Sequence, residues 1–174
     1  MFKYFPKVNY FIDNYNFLVG IDITERVKIN DYLKSVDAVG ARDYEIKEGE
    51  LPENISFTVY GRPSYAYMIL LLNNIQNFYD EWPMDSKTFK NFITFKYGSV
   101  ANARSQNMFY YVNGLICDED TYQASTDPEK YIETSYDYEN RLNDEKRKIK
   151  LLNPSIVKKA EVAIQEILNS TSGV

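Results

Sequence analysis

Apolar positions along the chain change period several times, and each change marks an element. In "ARDYEIKEGE", Tyr44 and Ile46 alternate with charged residues, which predicts a strand ending at Gly49. Leu51, Ile55 and Val59 follow at helical spacing. Gly61 stands where a left-handed C-terminal cap belongs. Pro63 suits the first turn of the next helix, where its missing N–H leaves no bond unmade. In that helix Tyr65, Met68, Ile69 and Leu72 form one apolar stripe, which Asn73-Asn74 ends. Asp85 or Ser86 can cap a third helix, with Phe89, Phe92 and Ile93 on one face and Gly98 as its stop.

The flanks are patterned differently. Residues 1–20 are aromatic and irregular, punctuated by Pro6 and Gly20, and read as an arm lying on another surface. In "IDITERVKINDYLKS" Asp22 or Thr24 can cap a short helix, with Glu25 completing a capping box from Asp22, while "VKI" fits a strand equally well. "GSVANARSQN" reads as a polar loop. "MFYYVNGLIC" carries Asn113-Gly114 between apolar runs, the strongest short-range hairpin signal. "DEDTYQASTDPEK" is acidic and reads as a mobile stretch. A charged helix is expected over about Tyr136 to Lys148, then a short strand "IKLL". Asn153-Pro154 opens a last helix whose buried face carries Val157, Ala160, Ile164 and Leu168.

Composition narrows the chemistry. Of 174 residues 44% are hydrophobic, enough for a packed core. Tyrosine is in excess, with 16 Tyr beside 10 Phe. Tyr offers a rigid apolar face with a polar tip, so the excess points to extensive contact with partners. A net charge of −5 argues against a nucleic-acid binder, which needs a basic face to displace counterions. The longest apolar run, Ala66 to Leu72, is far too short to span a bilayer. The N-terminus lacks the apolar stretch of a signal peptide, so synthesis in a cytoplasm is expected. One cysteine, Cys117, excludes an internal disulfide and a thiolate metal cluster. The absence of histidine excludes Ser-His-Asp and Cys-His catalysis and His-ligated zinc.

Carboxylate-only mechanisms survive that filter. Asp80, Glu81 and Asp85 surround Trp82, a combination that could serve glycoside hydrolysis, but nothing sets two acids at a defined separation. A solvated loop and a helix cap explain them more simply. Cys117 has no base to activate it and reads as a structural thiol. "EKRKIK", Glu145 to Lys150, could touch phosphates, yet its acidic flanks favour a salt-bridged surface. No catalytic residue, cofactor or metal is expected.

Several elements agree in order across the segment "YEIKEGE–L–x3–I–x3–VYG–x–P–x4–M-I-L-x2–NN". It resembles a LysM module, a βααβ fold that in many proteins binds N-acetylglucosamine polymers. The resemblance covers about residues 42 to 76 and rests on the Tyr-Gly hinge and the Asn-Asn stop. It implies a glycan groove between Lys47 to Leu51 and Asn73 to Gln76, with Gly49, Glu50, Asn73 and Asn74 as its residues. The first loop reads "EGELPE" where the family has Gly-Asp-Thr or Gly-Asp-Ser, and "NFYDEWP" places aromatics beside the groove. These departures weigh against carbohydrate binding and leave the groove vestigial.

A longer resemblance extends over most of the chain. "DITERVKI", "YEIKEGELPENISFTVYGRPSYAYMILLLNNIQNFYDEWPMDSKTF" and "YENRLNDEKRKIKLLNPSIV" resemble, in the same order, the small LysM-containing baseplate wedge subunit of T-even-type contractile-tailed bacteriophages. It implies a non-enzymatic virion protein of the tail baseplate that bridges neighbouring wedges and helps close a six-fold ring. Its partners would be other wedge proteins, with no nucleic acid and no membrane, and its assembly would take place in the host cytoplasm. The alternative is a LysM module that binds peptidoglycan or another N-acetylglucosamine polymer.

The expected fold is thus α+β. A LysM-like βααβ core with its following helix spans 42–98. An N-terminal arm with a short helix spans 1–41, and an extension of hairpin, charged helix, short strand and terminal helix spans 99–174. Tyr60, Arg62, Tyr65, Tyr67, Phe78, Tyr79 and Trp82 are the expected interface residues, held by the hinge and cap residues Gly61 and Pro63.

Overall fold

A computed structural model describes residues 7–13, 15–21, 29, 31–33, 35 and 40–170. The fold is mixed α and β. In chain order the elements are β1 (Lys7–Phe11), β2 (Phe17–Ile21), β3 (Ala41–Glu45), α1 (Pro52–Tyr60), a 3-10 turn (Pro63–Tyr65), α2 (Ala66–Leu72) and α3 (Phe78–Glu81). There follow α4 (Ser86–Tyr97), α5 (Val100–Ser105), β4 (Asn107–Val112), β5 (Leu115–Cys117), α6 (Glu119–Ala124), β6 (Tyr131–Thr134), α7 (Ser135–Glu145), β7 (Lys148–Leu152) and α8 (Pro154–Ser170). The expected capping box at Asp22 and Glu25 lies outside the described residues. Residues 29, 31–33 and 35 are helical.

The chain forms two compact units. The first takes the described residues up to Glu45, Glu50–Glu81 and those from Ile149 onward. The second takes Ile46–Gly49 and Trp82–Lys148. The expected boundaries at 41/42 and 98/99 fall inside these units. The expected C-terminal extension is divided between them, because β7 and α8 return to the first.

In the first unit, helices α1 and α2 lie in sequence between β3 and the long excursion that ends at β7, and β3 pairs with β7. The pairing is antiparallel. Ile46 N–H donates to the Arg147 carbonyl at 2.9 Å, while at the other end Asn153 N–H donates to the Gly40 carbonyl at 2.7 Å. The core joins Tyr65, Met68 and Leu71 to Leu152, Val157, Ala160, Ile164 and Leu168, with Ile29 and Leu33. The last four apolar positions of α8 recur three and four residues apart, so one helical stripe is buried along its length.

Helix α1 begins without a polar cap. Leu51 occupies the cap position, and Pro52 at the first turn needs no partner for its absent N–H. It ends at Gly61, whose φ is +73° and whose N–H donates to the Phe57 carbonyl at 2.9 Å. The buried Ser56 hydroxyl donates to the Arg62 carbonyl and ties the hinge to the helix. Helix α2 closes differently. Asn74 takes φ +54°, its N–H bonds the Leu71 carbonyl at 3.0 Å and Ile75 N–H bonds the Leu70 carbonyl at 2.8 Å. This is the paired-bond helix ending in which a left-handed residue lets two orphan carbonyls be satisfied.

The second unit contains a three-stranded sheet, ordered β5-β4-β6, with both pairings antiparallel. The β4–β5 turn is Asn113-Gly114, both left-handed at φ +51° and +74°, which matches the twist of the strands. Helix α4 is capped by Asp85, which accepts Thr88 N–H at 2.8 Å. Helix α7 opens on a full capping box between Thr134 and Asp137. Phe89, Ile93 and Ala103 form this unit's core.

Three stretches differ from expectation. The irregular arm contains the β1–β2 hairpin. "GSVANARSQN" contains α5, because Ser99 caps it and Ala103 is drawn into the core. The acidic stretch contains α6, capped by Asp118 accepting Thr121 N–H at 2.7 Å. In each case local capping and turn chemistry outweighs the average character of the segment, helped in α5 by the buried Ala103.

A Cβ at Gly61 would meet nothing within 4 Å, so any penalty there comes from the backbone angle alone. Gly61→Val is therefore expected to cost about 1–2 kcal/mol. That corresponds to a fall in melting temperature of roughly 2–4 °C per kcal/mol for a chain of this size. Gly61→Asn, which tolerates the left-handed region, should melt close to the parent in a thermal scan.

Candidate docking surfaces

Among the described residues, the β1–β2 hairpin and its turn gather a run of exposed large apolar side chains between Tyr10 and Ile21. Its strands pair in register from Lys7 opposite Ile21 to Phe11 opposite Phe17. Asp13 builds the turn: its carboxylate accepts Tyr15 N–H and Asn16 N–H at 2.8 Å each, and the Asn16 side-chain amide at 2.8 Å. These bonds, the Asn16 side chain first, hold its carboxyl below the usual carboxylate range. One face of the ribbon carries Tyr10 opposite Leu18, with the Tyr10 ring lying over Gly20. The other carries Phe11 opposite Phe17, ring centroids 6.0 Å apart, then Val19 and Ile21. Both faces are open: Phe11 is 73% exposed and Leu18 62%.

A ribbon with one solvated face alternates apolar and polar residues. A ribbon covered on both faces reads as a continuous apolar run. "FLVGI" is of the second kind, yet within this chain nothing described covers it. A two-stranded ribbon is also marginal by itself in water. The ribbon thus has the residue pattern of a doubly covered strand pair while both its faces stand in water. Sequence reasoning missed it, although the unalternating run and the turn-forming Asp13 were legible signals.

The expected interface residues sort by burial. Tyr65 and Trp82 are inside. The Tyr65 hydroxyl donates to Glu161 at 2.9 Å, and its ring meets Tyr60 edge-on at 6.2 Å. Tyr60 is half-buried, and burial pushes its phenol up to about 12. Tyr67 is half-buried against the first unit's core. Phe78 is half-buried in edge contact with Tyr79 at 6.0 Å, while Tyr79 itself stands 86% exposed. Arg62 is exposed, and Pro63 opens the 3-10 turn beside it. Tyr79 and Arg62 are thus the members of this set that face solvent outright.

The expected groove residues have structural employment. Gly49 is left-handed at φ +69°. Glu50 accepts the Tyr44 hydroxyl at 2.9 Å, and burial, then this bond, raises the Tyr44 phenol. Asn73 fastens α2 to β7: its amide donates to the carbonyls of Ile69 and Lys150 at 2.8 Å each, and its oxygen accepts Lys150 N–H at 2.7 Å. Every hydrogen-bonding direction of that side chain but one lone pair is occupied. Asn74 supplies the left-handed helix ending already described.

The carboxylates once considered for hydrolysis are turn and cap groups. Asp80 accepts the Asn77 amide, and Glu81 accepts Gln76 N–H at 2.6 Å. Asp85 caps α4, and its bonds to Thr88 hold its carboxyl low. The half-buried Cys117 thiol points at the Tyr110 carbonyl, 3.7 Å away. In the basic stretch Arg147 pairs with Glu48 at 2.9 Å and Asp144 at 3.2 Å. Among the described residues no group of three acids or thiols could hold a metal ion, and no helix is long and apolar enough to cross a membrane.

An exposed two-faced apolar ribbon on a chain whose candidate acids are caps and turns defines a protein of assembly. Comparison with family models gives that class its place. The base plate wedge protein 53 family matches residues 1–163, and the chain belongs to it. It is accordingly a structural component of a bacteriophage tail baseplate that assembles with other baseplate proteins. Comparison with curated proteins gives no match.

Two outcomes follow from this geometry. Asn73→Ala should cost about 0.5–1.5 kcal/mol, because it removes the side-chain bonds that tie α2 to Lys150 N–H and its carbonyl. Thermal melting and faster amide exchange at Lys150 would show it, and an unchanged melt would contradict the fastening role. For Asp13 the folded pKa is depressed, so its contribution to the turn is present above the unfolded carboxyl value of 3.8 and is lost as pH falls through the folded one. Amide exchange at Tyr15 and Asn16 should quicken there relative to a neutral-pH baseline corrected for intrinsic rates.

Proposed function

We propose that this chain bridges neighbouring wedges of the baseplate and helps close them into a six-fold ring, docking through the β1–β2 hairpin. The observation that carries this reading is the hairpin's apolar surface, open on both faces. A clamp between two bodies needs a surface that each can cover, and a two-faced ribbon offers one side to each. The β3–α1–α2–β7 order supports a LysM-like scaffold beneath it. Its groove residues act as fasteners, so the glycan-binding reading gains nothing from them. Tyr79 and Arg62 extend the docking surface, and Tyr60, Tyr67 and Phe78 contribute their exposed edges. The partners are other wedge proteins, met in the host cytoplasm during assembly, without nucleic acid or membrane.

Burying a Phe or Leu side chain fully stabilises by about 1.5–3 kcal/mol. Replacing both Phe11 and Leu18 by Asp should therefore weaken docking by roughly 10²–10⁴-fold. Particles assembled with the parent chain should contain it in a small multiple of six by quantitative mass spectrometry, as a closed six-fold ring requires. The double variant should fold, by circular dichroism, yet be missing from particles. Incorporation at the parental level would refute docking through the hairpin, and a parental copy number unrelated to six would refute the ring.

A further inference from the structure

The second unit holds a cavity that none of the roles above employs. Its volume is about 400 Å³, a size that accepts a small ligand or a few residues of peptide. The floor is apolar, formed by Phe89, Met84 and Val100. The ring of Tyr136 stands edge-on to Phe89 with centroids 5.7 Å apart. The rim is cationic: α4 brings Lys90 to it and α5 brings Arg104, whose guanidinium lies 4.6 Å from the centre of the Tyr136 ring. Arg147 and Asp144 also line the cavity, but they pair with each other at 3.2 Å. Among the described residues neither Lys90 nor Arg104 has a carboxylate partner.

Two uncompensated cations over an apolar floor, on a chain of net charge −5, are a local inversion of the molecule's field. Such a rim attracts an anion and repels other cationic surfaces. A bare inorganic anion would leave the half-buried Met84 and Val100 uncovered. A peptide carrying both carboxylates and an apolar side chain satisfies both parts of the site. Arg104 is already oriented by its stacking on Tyr136, so its planar fork can take a carboxylate with little further ordering.

We propose that this cavity receives an acidic segment of another baseplate protein. An aromatic or aliphatic side chain of that segment seats against Met84 and Val100, and its carboxylates meet Lys90 and Arg104. The inference rests on the wedge reading and adds the chemistry of one partner contact to it.

The test uses purified particles and the free full-length chain. A water-soluble carbodiimide joins an amine to a carboxylate only when the two are in contact. In particles, mass spectrometry should find Lys90 amide-linked to an Asp or Glu of a different protein. Acetylation of Lys90 by an N-hydroxysuccinimide ester should be at least roughly tenfold slower in particles than in the free chain, as burial of a charged contact implies. The double variant Lys90→Gln with Arg104→Gln should keep its melting temperature and be incorporated less. Equal acetylation in both states, linkage confined to this chain's own Asp144, or protection without any linkage would each overturn the proposal. Absence of the chain from particles would instead be a failure of the wedge reading, visible before any labelling.

Discussion

The pairing of β3 with β7 is the constraint on which the first unit depends. The two strands are separated by almost the whole second unit, and the Arg147 side chain reaches back across 101 positions to bond the Ile46 carbonyl. Closing so long a loop is entropically costly, though the cost grows only with the logarithm of its length. The excursion is therefore tolerable provided the intervening chain folds on its own account. The second unit has its own sheet, its own apolar core and two buried acids whose bonds are satisfied. Glu139 accepts Lys96 at 2.6 Å and Tyr97 at 2.8 Å, and Glu133 accepts Arg141 at 2.8 Å and Tyr111 at 3.1 Å. A buried carboxylate left without partners would be far more expensive than the bonds gained, so these networks fix one arrangement of α4, α7 and the sheet.

Polar groups at the centre of the first unit serve the same end. Asn73 joins α2 to β7, and the hydroxyl of Ser56 joins α1 to the hinge. Both sit where a binding module would place ligand contacts or hinge flexibility, and both are used to hold strand to helix. A structural component of a baseplate gains from such fastening. Rigid elements lose less on docking than chains that must order themselves.

The outward surface follows the opposite logic. The hairpin strands are satisfied with each other along their shared edge, while their side chains are left in water on both faces. That state is poor for a free chain and favourable in an assembly, since each face can be removed from water by a different body. Burial of apolar area without buried charge gives contact energy that salt does not screen, whereas the contact proposed at the cavity of the second unit is screened.

By itself the sequence determined the local grammar of this protein. The left-handed positions Gly61 and Asn113-Gly114, the Asp85 cap, the Pro154 start and the buried stripe of α8 were all legible, because each depends on residues within a few positions of one another. The class of protein was legible too, through the order of three separated blocks. Only the tertiary structure decided which strand closes the βααβ unit, since the partner of β3 lies beyond an independently folded insertion and strand pairing leaves no mark in either strand alone. It also decided that Tyr65 and Trp82 lie inside while Tyr79 faces out, because the same aromatic residue serves a core or an interface equally well. The cavity of the second unit was invisible for the same reason. Phe89 and Lys90 come from one helix and Val100 and Arg104 from the next, and the two charges become a site only when packing brings them to one cavity without a carboxylate to answer them.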